Sequence, residues 1–122
     1  MKRILIVDDE PEIRSIVTKT LEMGLNTVFQ AETGSQAIEI ARTEKPDLII
    51  MDIEMPGSID GLDATRILKN DPETQKCAII VLTGKAQEGD REKALSAGAE
   101  SYFEKPFSPL ELLNKVEEII GV

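Results

Sequence analysis

Short apolar runs alternate with amphipathic helical patterns along the chain, and this alternation constrains the fold more than any other feature. The apolar runs have strand length and lie at residues 4–7, 27–29, 48–51, 78–82 and around 102–103. The segments between them carry apolar residues on one helical face and are long enough to cross over between parallel strands. The runs at 48–51 and 78–82 are apolar throughout, which is typical of central strands covered on both faces. The sequence therefore predicts a single doubly wound α/β domain of five strand-helix units.

Helix boundaries have their own signals. Ser108 can cap a helix, Pro109 then occupies the first helical position, and Glu111 can reach back to the cap. Thr33 and Gln36 form a similar capping pattern. Glycines that follow helical patterns are typical helix ends, and they stand at positions 24, 98 and 121.

Charge and composition exclude several classes of function. The chain has 122 residues with 14 basic and 23 acidic side chains, a net charge of −9, which repels nucleic acid and anionic membrane surfaces. It contains no histidine, which removes His-dependent catalytic triads and zinc sites built on histidine. The single Cys77 allows no internal disulfide. With no secretory signal and no apolar run long enough to span a bilayer, we expect a cytoplasmic protein.

Polar residues follow the strands of the predicted sheet. Asp8 and Asp9 follow the first strand, Asp52 the third, Thr83 the fourth and Lys105 the fifth. Taken singly, each has an ordinary structural explanation, such as helix capping by Asp8 or Asp9. Ligands of parallel sheets bind beyond the carboxyl ends of the strands, so the joint placement predicts one functional crevice if these strands are neighbours.

Three carboxylates in such a crevice need neutralisation, because each close pair repels by roughly 4 kcal/mol at an effective dielectric constant near 20. A divalent cation together with Lys105 would balance them, and an all-oxygen ligand set favours Mg²⁺. The first turn lacks a glycine-rich phosphate cradle, which argues against a dinucleotide-dependent dehydrogenase. A carboxylate beside Mg²⁺, a lysine and a hydroxyl suits phosphoryl transfer, with Asp52 as the nucleophile.

These residues stand in motifs that resemble the receiver domain of two-component response regulators, the CheY-like group. The motifs are Ile-Leu-Ile-Val-Asp-Asp-Glu from position 4, Asp-Ile-Glu-Met-Pro from 52, Val-Leu-Thr-Gly from 81 and Lys-Pro-Phe from 105. The resemblance covers essentially residues 1–122. It implies a flavodoxin-like sheet of five parallel strands in the order 2-1-3-4-5.

The resemblance also implies roles for individual residues. Asp52 is the expected phosphoacceptor, and Lys105 is expected to contact the phosphoryl group. Asp9 and Asp52 are the expected direct ligands of Mg²⁺, with Mn²⁺ as an alternative ion. Asp8 would support the ion through water, and the backbone carbonyl of Glu54 would be a further ligand.

A conformational switch follows from the same resemblance. Thr83 is expected to turn toward the phosphoryl group, and Tyr102 to move inward behind it. The surface remodelled for partner binding would lie around residues 87–97, 102–104 and 108–116. From the residues alone, Tyr102 is equally well a half-buried aromatic at a strand end. The Lys105–Pro106 peptide is expected to be cis.

One feature departs from the family's pattern, because the loop at 55–61 is one residue longer than usual. Glu54 and Lys85 match positions that influence phosphoryl lifetime, and we hypothesise that they pair across the mouth of the site and hinder the attacking water. The alternative is two solvated side chains, since exposed pairs contribute only about 0–1 kcal/mol.

The resulting prediction is a phosphoacceptor switch of a two-component or phosphorelay system. Its expected partners are a histidine kinase or a histidine phosphotransfer protein, and downstream either another protein or an effector domain absent from this chain. It would catalyse its own modification without turning over an external substrate. Whether the chain is a stand-alone receiver or part of a longer protein, and whether phosphorylation drives dimerisation, stay open.

Two other functions stay as alternatives. One is a receiver-like protein-binding module that is never phosphorylated. The other is a metal-dependent phosphatase with an aspartyl intermediate, which resembles the haloacid-dehalogenase enzymes. Those enzymes place an aspartate two residues after the nucleophile, where this chain has Glu54.

Overall fold

Strands and helices alternate five times in the computed structural model, which describes residues 2–24, 26–84 and 87–121. The strands are β1 (Arg3–Val7), β2 (Thr27–Ala31), β3 (Leu48–Asp52), β4 (Ala78–Thr83) and β5 (Ser101–Glu104). The helices are α1 (Pro11–Glu22), α2 (Gly34–Glu44), α3 (Gly61–Asn70), α4 (Asp90–Ala97) and α5 (Pro109–Ile120). All strand pairs are parallel, and the sheet order is β2-β1-β3-β4-β5. The predicted fold and strand order are confirmed.

Two core layers cover the two faces of the sheet. Side chains of α2, α3 and α4 pack on one face, and those of α1 and α5 pack on the other. Along β3 the side chains alternate between these layers, with Ile49 and Met51 on the first and Leu48 and Ile50 on the second. Every residue of β3 is buried, as its apolar run predicted.

The helix starts follow the capping signals closely. Ser108 Oγ accepts a hydrogen bond from the amide of Glu111 at 3.3 Å at the start of α5. At the start of α2, Thr33 Oγ1 accepts from the amide of Gln36 at 3.1 Å. The Gln36 side chain reaches one residue past the cap, where its Oε1 accepts from the amide of Glu32 at 2.8 Å. In both helices the side chain of the cap residue therefore accepts the predicted hydrogen bond. The Gln36 side chain accepts from the amide of Glu32, one residue before the cap.

Helix ends and special peptides also match the predictions. Gly98 and Gly121 end α4 and α5 with φ of 111° and 69°, the left-handed region that favours glycine. The Lys105–Pro106 peptide is cis. Cys77 is buried in the core layer beneath α2–α4, as a small hydrophobic residue would be. Within the described ranges, no helix has the length and apolar composition required to cross a membrane.

Candidate functional site

The carboxyl edge of the sheet gathers the predicted site residues because β1, β3, β4 and β5 are parallel neighbours. Asp52 and Thr83 are the last residues of β3 and β4. Asp8 follows β1, and Lys105 follows β5. An open cavity of about 370 Å³ lies at this edge. Its walls are formed by Asp9, Glu10, Asp52, Glu54, Gly84 and Lys105.

Lys105 is the cation at the centre of the acidic residues. Its Nζ donates a hydrogen bond to Asp8 Oδ2 at 2.7 Å. The same Nζ lies 3.4 Å from Asp52 Oδ1 and 3.5 Å from Glu10 Oε1. The Lys105 amide donates to the carbonyl of Thr83 at 2.7 Å, which fixes the start of the loop after β5. One ammonium is thus shared by three carboxylates.

Burial makes the negative charge at this site costly. Burial of Asp52 raises the pKa of its carboxyl to about 7, and the charge of Asp8 adds to the shift while Lys105 opposes it. Burial also raises the pKa of Asp8. Burial alone would lower the pKa of Lys105, but its hydrogen bond to Asp8 and the charge of Asp52 raise it. Lys105 therefore offsets the cost of burying these carboxylates only in part.

The loop after β1 presents three adjacent carboxylates. Ligand oxygens of Asp8, Asp9 and Glu10 lie within 4.8 Å of one another. Asp8 Oδ1 accepts a hydrogen bond from the amide of Glu10 at 2.9 Å, so the loop turns back toward the Asp8 side chain. An all-oxygen set with unbalanced negative charge fits a hard divalent cation such as Mg²⁺. Glu10 lies in this group but is not among the predicted ligands.

The connection from β3 to α3 is closely packed against the backbone of Asp52. A Cβ atom at Gly61 would lie 1.9 Å from the Asp52 carbonyl oxygen, so only glycine fits there. The Gly61 amide donates to the carbonyl of Ile53 at 2.8 Å. Asp60 and Asp63 form a reciprocal capping box that starts α3 at this point. Sequence reasoning missed this junction, for which the spacing of Asp60 and Asp63 was the available signal.

Thr83 and Tyr102 share one face of the sheet. Val81 pairs with Tyr102 in the β4–β5 register, and alternation along β4 places Thr83 on the same face as Val81. Thr83 is buried beside Gly84, whereas Tyr102 is half-buried against the core layer beneath α2–α4. Burial raises the pKa of Tyr102, and the charge of Asp90 adds to this. The two residues thus lie on one face of the sheet, and their roles in a switch stay predictions.

Glu54 lies exposed on the wall of the cavity. Lys85, its predicted partner, is outside the described residues. Their pairing across the mouth of the site therefore stays a prediction.

Two bacterial proteins are similar to this chain in sequence. Protein PilH of Pseudomonas aeruginosa is 41% identical over 121 residues, which cover 99% of both chains. The phosphate regulon transcriptional regulatory protein PhoB of the same species is 40% identical, over 98% of this chain and 52% of that protein. The chain thus spans about the whole length of PilH and about half the length of PhoB.

Solved structures have the same fold. The receiver domain of a Pseudomonas aeruginosa sensor histidine kinase superposes with a TM-score of 0.88 at 34% identity, covering 99% of this chain and 98% of that one. That structure holds a magnesium ion coordinated in its active site cleft. The chemotaxis response regulator CheY4 of Vibrio cholerae gives a TM-score of 0.88 at 28% identity, covering 98% of each chain.

The family model for the response regulator receiver domain matches residues 4–117. This range includes all of the residues that surround the cavity. The chain therefore belongs to the receiver domain family of two-component response regulators.

Proposed function

We propose that this chain is a single receiver domain that accepts a phosphoryl group on Asp52 from a phosphohistidine of a histidine kinase or a histidine phosphotransfer protein. The observation that carries the proposal is the environment of Asp52. It is a buried carboxyl at the carboxyl edge of the sheet, it borders an open cavity, and it has the Lys105 ammonium 3.4 Å away. Such a group combines a nucleophile with a cation that can stabilise transferred negative charge.

The proposed reaction is a displacement at phosphorus. An oxygen of the ionised Asp52 carboxylate forms the new P–O bond while the P–N bond of the donor breaks and the imidazole leaves with the electron pair. The attack itself needs no general base, because the attacking form is the ionised carboxylate, which is populated near neutral pH at a pKa of about 7. Lys105 keeps the carboxylate oriented in the resting site and would contact the phosphoryl oxygens after transfer.

The acidic residues of the site suit Mg²⁺. Asp9 and Asp52 would be its direct ligands with the carbonyl of Glu54, and Asp8 would act through water. When bound, the ion would neutralise the carboxylates and the charge on the phosphoryl oxygens. The oxygen-only donor set and the magnesium ion in the related histidine-kinase receiver support this assignment. Mn²⁺, which accepts the same ligands, is the proposed substitute.

The proposed output is a change of protein binding at the surface formed by α4, β5 and α5. Thr83 and Tyr102 on one face of the sheet would link the phosphoryl group to that surface. The downstream partner would be a separate protein, as the full-length match to PilH suggests, or an effector domain, as the half-length match to PhoB suggests. A dimer formed on phosphorylation is a further prediction for the same surface.

The proposal is tested by intact-protein mass spectrometry after incubation with acetyl phosphate and Mg²⁺. Wild type should gain one phosphoryl group, and EDTA should abolish the gain. Asp52→Asn should gain none. Asp71→Asn is the matched control, because Asp71 pairs with Arg42 on the surface and not at the cavity. It should be phosphorylated as wild type is.

Absence of any adduct in wild type would contradict the proposal and favour a protein-binding module that is never phosphorylated. Steady release of phosphate from an added phosphomonoester would instead indicate a phosphatase.

A further inference from the structure

Arg14, in the first turns of α1, is tied to the loop that carries the acidic residues. Its Nη1 donates a hydrogen bond to the backbone carbonyl of Asp8 at 2.7 Å. Its Nε donates to Gln30 Oε1 at 3.1 Å, and its Nη2 donates to Glu32 Oε1 at 3.3 Å. The side chain is only 11% exposed. Each of the three guanidinium nitrogens therefore donates to an acceptor, and the shortest of these hydrogen bonds is the one to the loop.

The loop around Asp9 is held on both sides by this arginine. The Arg14 side chain binds the carbonyl that precedes Asp9, and the Arg14 amide donates to the carbonyl of Glu10 at 3.2 Å. The Asp8 amide is fixed in turn by the carbonyl of Ala31 at 3.1 Å. The two peptides that flank Asp8 are thus held from two sides, the Val7–Asp8 amide by β2 and the Asp8–Asp9 carbonyl by Arg14. The Asp8–Asp9 peptide leads directly into the backbone of Asp9, from which the exposed Asp9 carboxylate extends.

We propose that Arg14 is a positioning residue for cation binding, which orients the Asp8–Asp9 peptide so that Asp9 meets the ion directly and Asp8 reaches it through water. The inference rests on the proposed function, because it assumes that these carboxylates bind Mg²⁺. Arg14 acts through the Asp8 carbonyl and has no contact of its own with the ion. Gln30 and Glu32 hold the guanidinium in place, and only arginine can serve three acceptors from one planar group.

Charge alone predicts the opposite effect. Arg14 is a cation close to a cation site, and Coulomb repulsion from it weakens Mg²⁺ binding. If Arg14 acted only through its charge, its removal would tighten Mg²⁺ binding. If Arg14 positions the loop, its removal weakens binding despite the gain in electrostatic attraction. The sign of the change in affinity therefore separates the two roles.

The test is the Mg²⁺ dissociation constant by isothermal titration calorimetry on the unphosphorylated protein. Arg14→Gln should bind Mg²⁺ about tenfold more weakly than wild type, as is typical when a group that orients metal ligands is lost. Arg42→Gln is the matched control. It removes the same charge from an arginine that is 49% exposed and paired with Asp71 away from the cavity. Its affinity should equal that of wild type or be slightly tighter.

Two further variants keep the test informative if Arg14→Gln does not fold. Arg14→Lys retains the charge but cannot serve all three acceptors, and it should bind more weakly than wild type. Gln30→Ala removes one support of the guanidinium and should give a smaller loss of affinity. Unchanged or tighter binding in Arg14→Lys and Gln30→Ala, with wild type binding Mg²⁺, overturns this inference alone. A wild type that does not bind Mg²⁺ overturns the metal site and this inference together, whereas phosphorylation of Asp52 is measured separately.

Discussion

At the scale of single residues, the balance of charge around Asp52 is the main influence on the stability of this protein. Asp8, Glu10 and Asp52 share the Lys105 ammonium, and burial raises the pKa of both aspartates. Without a cation, the folded protein confines charge that the unfolded chain would expose to water. The site therefore lowers the stability of the folded protein, and a bound cation would offset that loss.

This imbalance predicts a pH dependence of stability in EDTA. The pKa of Asp52 is raised from 3.8 to about 7 in the folded protein. Below the lower value both states are protonated, and between the two values the folded state retains a proton that the unfolded state has lost. The free energy of unfolding therefore falls as the pH rises through this interval. Asp8 shifts in the same direction.

Asp52→Asn should remove this loss. We expect the variant to exceed wild type in stability by on the order of 2 kcal/mol at about pH 8 and by much less at about pH 5, measured by urea unfolding. Asp71→Asn serves as the control, because hydrogen bonds from Glu73 and Arg42 lower the pKa of Asp71 and its contribution is lost only at lower pH. An equal difference between wild type and Asp52→Asn at both pH values would refute the account of Asp52.

At the scale of elements, the strands and helix starts that were predicted correctly are those that local sequence patterns encode. The runs at 48–51 and 78–82 are apolar throughout, and Ser108 and Thr33 have ordinary capping neighbours. The start of α4 could not be predicted, because residues 85–91 are polar and lack helical periodicity. In the structure the helix starts at Asp90, after Gly89 in the left-handed region. The contacts of Arg14 join three separate elements, and no spacing within one element encodes them.

The junction of β3 and α3 makes a prediction at this scale. Gly61→Ala places a methyl group against the Asp52 carbonyl, so either the backbone of Asp52 or the start of α3 must move. We expect a loss of about 2 to 3 kcal/mol in the free energy of unfolding, typical of overpacking. The rate of phosphorylation should also fall, because Asp52 is displaced.

Gly24→Ala is the control for this junction. An added Cβ there meets the Asn26 Nδ2 atom at 3.1 Å, at the end of a flexible side chain. Its unfolding free energy should change by less than about 1 kcal/mol. Equal stability and equal phosphorylation of Gly61→Ala and wild type would show that the close approach has no consequence.

At the scale of the whole molecule, β3 joins the two core layers to the site. Its residues alternate between the layers beneath α2–α4 and beneath α1 and α5, and its last residue is Asp52. The position of Asp52 thus depends on packing on both faces of the sheet. The buried apolar residues of β3 thus fix the acidic Asp52 at the carboxyl edge of the sheet.

A core truncation in β3 tests this dependence. Ile50→Ala should lower the free energy of unfolding by about 3 kcal/mol, because Ile50 is fully buried and leaves a cavity. Ile67→Ala removes the same atoms from a side chain on α3 that is 38% exposed, and it should cost less than about 1 kcal/mol. Chemical denaturation of both variants gives the comparison. Similar losses in the two variants would contradict the assignment of β3 as the shared central strand.

Among the carboxylates at this edge, Asp52 is the one that we propose accepts the phosphoryl group. Borohydride reduces an acyl phosphate on aspartate to homoserine, so reduction after incubation with acetyl phosphate and Mg²⁺, followed by peptide mapping, identifies the modified residue. The account predicts homoserine at position 52, with none when Mg²⁺ is withheld. Homoserine at position 8 or 9, or no reduced residue in a protein that binds Mg²⁺, would contradict it.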